Sequence, residues 1–470
     1  MRRRQFLAAT AALGTLPGVG HATPRPSATT TAGTLEPLGT TPLDGLKEAV
    51  VAPDEETVYA AATDGFAVFD VSDPTAPERL AHRSAILADR PDGPLVGIQD
   101  VKLDGDRVAV VGPANGRADA LEAAVFYDVS DPAAPERVGV YETDYPIHNC
   151  DFADGVAYLT GNRGDRNDLV LVEAGPDPTR LGTWSLADRD DRWTDVPAGV
   201  RSLHDVSVQG ERAYVAHWDA GTWILDVSDP TTPETVTRVR GRPVAELAEL
   251  SDNAAIVAST EPPGNDHYVT VNDDATLLAV GGESWDVTPG DAAGGPSGIE
   301  LWDLSTPTDP QRLSTIDPPP SPDPSYGGVW TTSHNFDFAG ECLYTSWYQG
   351  GVKVFDVSDP TDPRTLAAWR RDDTTSFWTA QAAGDVFVAA SRENPSNDDA
   401  PGALFVFPDP PADATVTPDR TPTRTADTDT STPTSTAPTT TADSTATTGP
   451  GFGALGALAA LGYGALRWCD

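Results

Sequence analysis

Short hydrophobic runs along the middle of this chain keep ending in the same polar signature. Val68-Phe69-Asp70-Val71-Ser72-Asp73-Pro74 is followed by Phe126-Tyr127-Asp128-Val129-Ser130-Asp131-Pro132, then Ile224-Leu225-Asp226-Val227-Ser228-Asp229-Pro230, Leu301-Trp302-Asp303-Leu304-Ser305 and Val354-Phe355-Asp356-Val357-Ser358-Asp359-Pro360. Two degenerate copies, Leu169–Glu173 and Leu404–Phe407, complete a set of seven. Asp70 and Asp128 are 58 residues apart and Asp303 and Asp356 are 53 apart. A repeat of this length built from short strands predicts the blades of a β-propeller. The fourth copy reads as strands over His204–Val208, Ala213–His217, Thr222–Asp226 and Thr235–Val239, with Ser-Asp-Pro-x-x-Pro between the last two. In that linker the Asp side chain bonds the turn backbone and the Pro presets φ. Turn chemistry explains the paired Asp70 and Asp73; calcium ligation is the alternative.

The pattern also predicts how the ring closes. The seventh unit, Phe377–Phe407, has three strands and lacks its fourth, whereas Leu35-Glu36-Pro37-Leu38-Gly39 resembles an outer strand without partners. An N-terminal strand that completes the last blade removes the exposed sheet edges. The expectation is an all-β, seven-bladed propeller over 33–410, closed by this strand.

The repeat unit, with Tyr-Val/Leu-Ala or Thr in its second strand, an apolar third strand ending in Asp-Val-Ser-Asp-Pro, and then Pro-Glu, resembles the LVIVD repeat. The resemblance covers roughly residues 45–410 and implies an extracellular propeller of bacterial or archaeal type. It brings no agreed catalytic residues, so it speaks to architecture and leaves activity open.

Charge narrows the picture. With 71 acidic against 31 basic residues the formal charge is −40, a field that repels phosphate backbones and excludes nucleic acid as a partner. Only Lys47, Lys102 and Lys353 are lysines; this carboxylate-rich, lysine-poor composition resembles proteins of salt-loving archaea, where high ionic strength screens self-repulsion. Cys150, Cys342 and Cys469 make neither a disulfide framework nor a zinc motif.

Both ends read as addresses. Residues 1–22 have a basic start, an apolar run Ala8–Leu16 and small residues near Ala22, the plan of a secretory signal. Within it Arg3, Arg4, Phe6 and Leu7 resemble the twin-arginine motif, which implies a translocase that exports folded protein. Residues 411–449 are mostly Thr, Ser, Pro, Ala and Asp, a composition that buries no core and predicts a disordered stalk. In 450–470 a Pro450-Gly451-Phe452 motif, an apolar run Ala454–Leu466 and Arg467 resemble the archaeal PGF-CTERM sorting signal. That resemblance implies cleavage by an archaeosortase-like enzyme, lipid transfer, and a domain held at the outer face of the membrane, by lipid or by helix.

Seven histidines exist, one of them (His21) in the signal segment. Counting ten residues back from the matched second-strand position selects Ala49, Gln99, His148, His204, His267, His334 and Phe377, one per blade. Four consecutive blades thus carry histidine where the first strand lines the central channel. Neutral imidazoles so gathered suit a transition metal such as copper, zinc or iron. Strand alternation gives the opposite reading, because the histidines share parity with Val101, Cys150, Val206 and Phe336. On that face they bridge blades by hydrogen bonds, while Asp100, Lys102, Asp151, Asp205, Asn335 and Asp337 form a wet channel wall. A bulge at the strand start reverses that assignment.

Other constellations are weaker. The glycine-rich 290–298 segment lacks the strand and helix of a phosphate loop, and no serine has a nucleophile-elbow setting. Trp193, Trp285 and Trp330 fall in loops and are expected at the surface, where they suit a protein or glycan partner; Trp223 and Trp302, inside strands, are expected in the core. Two functions follow. One is a cell-surface binding module whose insertions at 184–203, 240–264 and 284–298 shape its loop face. The alternative is a metal-dependent extracellular enzyme, redox or hydrolytic, using His148, His204, His267 and His334. The first predicts an exposed aromatic patch, the second converging imidazoles.

Overall fold

The computed structural model describes residues 35–414 apart from 118, 164–165 and 289–293. The segments read as signal, as sorting tail and as most of the stalk lie outside the described residues. Seven four-stranded antiparallel sheets form a ring. Blade 1 opens with inner strand Leu46–Val51, blade 2 with Asp100–Asp104, blade 3 with Ile147–Ala153 and blade 4 with Asp205–Gln209. Blades 5, 6 and 7 open with Asp266–Val271, Phe336–Ala339 and Ser376–Ala383. The fourth copy is observed as Asp205–Gln209, Arg212–His217, Gly221–Asp226 and Glu234–Arg238, within one residue of the expected bounds.

The outermost strand of blade 7 is Gly39–Pro42, which runs antiparallel to Ala403–Pro408 with Gly39 opposite Val406 and Pro42 opposite Ala403. The closing strand therefore starts where the expected one ends, because Leu35 is buried against Trp369 and Phe377 instead of pairing. Leu43 and Leu46 pack with Val388 and Leu404 across the seam between blades 7 and 1. Residues far apart in sequence are thereby joined through apolar burial and a strand ladder together.

Punctuation is local. Ser72 N–H donates to Asp70 Oδ1 at 2.8 Å and Thr75 N–H to Asp73 Oδ1 at 3.0 Å. The same turn recurs at Asp226 and Asp229 and at Asp356 and Asp359. These carboxylates are engaged by turn donors, as the repeat's turn chemistry requires.

Blades are also clasped to their neighbours. Asp100 Oδ2 in blade 2 accepts from Cys150 N–H in blade 3 at 2.6 Å. Asp151 takes Val208 N–H of blade 4 in the same way, and Gln381 Oε1 of blade 7 takes Val51 N–H of blade 1 at 2.9 Å. Each clasp satisfies a buried backbone donor that the sheet ladder leaves open. Cys150 and Cys342 lie in blades 3 and 6 and are both free thiols. Among the described residues no helix is long and apolar enough to cross a membrane.

Candidate functional site

At the hub, side chains on the Asp100–Lys102 parity do face the ring axis, as alternation predicts. Glu48 of blade 1 accepts from Lys102 Nζ of blade 2 at 3.1 Å, from Thr379 Oγ1 of blade 7 at 2.9 Å and from Asn335 Nδ2 of blade 6. A side chain that reaches a non-adjacent blade points at the axis. The expected wet wall is nevertheless packed: Glu48, Asp100, Asp205 and Asn335 are all buried. Burial alone pushes the Lys102 ammonium down, but Asp100 and Glu48 hold it well above the ordinary lysine value. Burial pushes the carboxyl of Asp205 well up. The hub is one retained positive charge beside Glu48 and Asp205, whose carboxyls burial pushes up.

Beside the hub the four histidines meet. Centroids of His148 and His204 are 4.3 Å apart, those of His204 and His267 3.8 Å, and those of His267 and His334 4.6 Å. All four are buried. Alternation alone does not place them so. In blades 3 and 5 the register slips at the histidine, between Ile147 and Cys150 and between Asp266 and Tyr268. In blades 4 and 6 the histidine precedes the inner strand, with its N–H on the carbonyls of Ala216 and Ser346. Such irregularities re-aim a side chain.

The bridging reading is realised on Nδ1 of three of the histidines. His204 Nδ1 lies 2.8 Å from the His267 carbonyl in the next blade, His334 Nδ1 lies 2.8 Å from that of Trp378, and His148 Nδ1 lies 3.1 Å from that of Ala114. A carbonyl only accepts, so each Nδ1 carries the proton and Nε2 keeps its lone pair. Among the described residues Nε2 of His204 and of His334 has no hydrogen-bond partner. This is the arrangement of a metal-ligating histidine, its outer nitrogen fixed by a backbone carbonyl. Burial, with the neighbouring rings, depresses His204, His267 and His334 well below 6.5.

His267 is different. Its Nδ1 is buried without a partner, and its Nε2 sits 3.5 Å from Oε2 of Glu283. Glu283 Oε1 accepts from the Tyr348 hydroxyl at 2.5 Å, while its Oε2 has no hydrogen-bond partner. Burial pushes the Glu283 carboxyl up to about 7, with Tyr348 and then Arg392 opposing. The His267–Glu283 contact is therefore not an ordinary ion pair, since both groups resist charge. One donor atom each from His267, Glu283 and His334 lies within 4.8 Å of the others. His148 and His204 extend the stack from this trio and are not part of it.

Glu283 is the residue the sequence reading missed, and the far ends of the second strands find it. Those strands end at His217, Gly282, Ser346 and Arg392 in blades 4 to 7, and Trp218, Glu283, Tyr348 and Arg392 stand at or within two residues of these ends. These four ring the stack. Trp218 lies 5.2 Å from His204 and Tyr348 4.6 Å from His334, centroid to centroid. Arg392 sits 5.3 Å over the Tyr348 ring. Trp218 and Tyr348 hold positive φ, 45° and 47°, costly for bulky side chains. Each is pinned by paired backbone hydrogen bonds to the next blade, Trp218 to Asp266 and Tyr348 to Phe377. Gly351 at φ +91 closes the turn after Tyr348, where a Cβ would meet the Trp369 carbonyl at 2.0 Å.

The loop tryptophans depart from expectation. Trp193, Trp285 and Trp330 are buried, whereas Trp223 and Trp302 in strands are only partly covered. The loop tryptophans pack onto the blades: Trp285 and Trp330 cluster with Tyr348 and Trp378 beside His334, and Trp193 joins the cluster of Trp184, Leu186 and Leu203. The exposed patch expected of these loop tryptophans is thus absent among the described residues. The remaining histidines stand apart from the stack, His217 on the Arg201 carbonyl and His82 on Asp64.

The LVIVD repeat model matches residues 55–80 and 201–240, parts of blade 1 and of blade 4 with its histidine. The chain is similar to the solved β-propeller domain of Cps50 (Swd1) from Myceliophteria thermophila, at 9% identity and TM-score 0.52, covering 80% of this chain and 99% of that one. It is likewise similar to U3-55K, at 10% identity and TM-score 0.52, covering 80% of this chain and 98% of that one. These likenesses show the fold alone. No curated protein matches.

Proposed function

We propose that this chain is a binding module displayed outside the cell, exported through its Arg3-Arg4 segment and tethered through its C-terminal segment, and that the buried histidine stack takes a transition metal. A propeller with LVIVD repeats suits a binding module. The observation that carries the metal is the fixed tautomer of His204 and His334, whose Nδ1 protons are committed to carbonyls while Nε2 is uncommitted. Repeat ancestry accounts for histidine at one position in four blades, but not for the matching ring of Trp218, Glu283, Tyr348 and Arg392 around it. The strained backbone at Trp218 and Tyr348 favours a second reading, in which the metal serves extracellular redox or hydrolytic catalysis. A protein or glycan partner on the loop face is compatible with either.

The test is elemental analysis of the full chain, purified in high salt without chelator. The expected result is about one equivalent of copper, zinc or iron, lost in the His204→Ala/His334→Ala double variant. Background metal in the wild type, with the double variant losing only thermal stability, makes the histidines struts between blades and overturns the reading.

A further inference from the structure

We infer that Glu283 is a metal ligand, and that His267, Glu283 and His334 form a two-histidine, one-carboxylate centre for a divalent ion of the zinc or ferrous class. This rests on the metal-binding reading above and departs from it in the ligand set, since His148 and His204 flank this centre and do not complete it. The first support is geometric. These three side chains bring one donor each within 4.8 Å, and no other group of three histidine, cysteine or acidic residues among the described residues does so. A tetrahedral ion with bonds of ~2.0–2.2 Å holds its donors roughly 3.4 Å apart, so adjustments of under about 1 Å at each side chain close the site.

The second support is an unsatisfied oxygen. Buried polar atoms are nearly always paired, yet Glu283 Oε2 is not, in a residue 1% exposed. An ion held by His267 Nε2, which lies 3.5 Å from that oxygen, gives Oε2 the cation it lacks. Tyr348 fits as a positioning residue. Its hydroxyl occupies Oε1, which leaves Oε2 as the coordinating oxygen, and its pinned backbone fixes where that hydroxyl stands. Ligand hardness sets the class of ion. Four imidazoles suit copper, whereas replacing two of them with one carboxylate oxygen moves the preference toward zinc or iron(II), with coordination positions left for water or substrate. His204 stacks on His267 with centroids 3.8 Å apart, next to this trio.

The experiment titrates the metal-depleted full-length chain with Co2+ and follows the visible ligand-field bands. The expected result is one site, weakened by at least about tenfold in Glu283→Gln, with the band shifted but stoichiometry kept in Tyr348→Phe. Should Glu283→Gln fail to fold, X-ray absorption on the wild-type cobalt form decides, two imidazoles with oxygen donors supporting the assignment. Tight Co2+ binding unchanged in Glu283→Gln, or a shell of three or four imidazoles, overturns the role of Glu283 and leaves the histidine site standing. No Co2+ binding at all overturns both.

Discussion

Asp337 and Glu283 show how differently two buried carboxyls can be used. Glu283 faces Nε2 of His267, whereas Asp337 faces the hub. Burial raises Asp337 to about 7 from 3.8; the Phe338 N–H opposes, Asp273 and Glu48 add, and Lys102 opposes. Because the folded value lies above the unfolded one, its contribution to stability is full below about pH 4 and is lost as pH rises to about 7. Asp337→Asn carries no such penalty. The thermal midpoint of the variant relative to wild type should therefore climb between about pH 4 and about pH 7 and level off above. A gap that narrows with rising pH would show that the charged carboxylate is the form the hub prefers. At this scale the four histidines were legible because one count, ten residues back from a strand, kept its register. Glu283 was not, because its place beside His267 becomes visible only once the first hairpin of blade 5 is folded.

Strands and turns were the most readable elements. In the five intact repeats the third strand ends in an Asp whose side chain folds back onto the turn, so punctuation is written in three or four adjacent residues. Asp226→Ala removes acceptors for both Ser228 N–H and Ser228 Oγ and should cost about 1 kcal/mol in this half-exposed turn, measured by denaturant unfolding. An unchanged midpoint would mean that Pro230 and the strand ladder set the turn unaided. Which way a side chain faces was far less readable at the ends of inner strands. One extra residue flips the face, and the slips at Ile147–Cys150 and Asp266–Tyr268 carry no local residue signal. The same limit hid the fate of the loop tryptophans, since composition does not say which blade side chains a loop aromatic packs against.

At the level of the whole ring, seven blades and their closing strand were legible because repeats copy architecture. An unpaired outer strand at one end and a missing one at the other have a single economical solution. Deleting the chain through Pro42 exposes the Ala403–Pro408 edge and strips Trp369 Nε1 of Glu36. The thermal midpoint should fall by about 5 °C or more, read by calorimetry on the deleted and full chains. An unaltered midpoint would show that the closure is ornamental and that blade packing alone holds the ring.

The pairing of Gly39 with Val406 also has a meaning in time. During synthesis the first strand emerges early and has nothing to join until the last hairpin has left the ribosome. A chain stopped anywhere before Ala403 keeps two raw edges, whatever the quality of its finished blades, and is open to mispairing with its neighbours. The ring is thus its own check on synthesis: only a chain that has reached the Ala403–Pro408 strand can hide both ends of its sheet series.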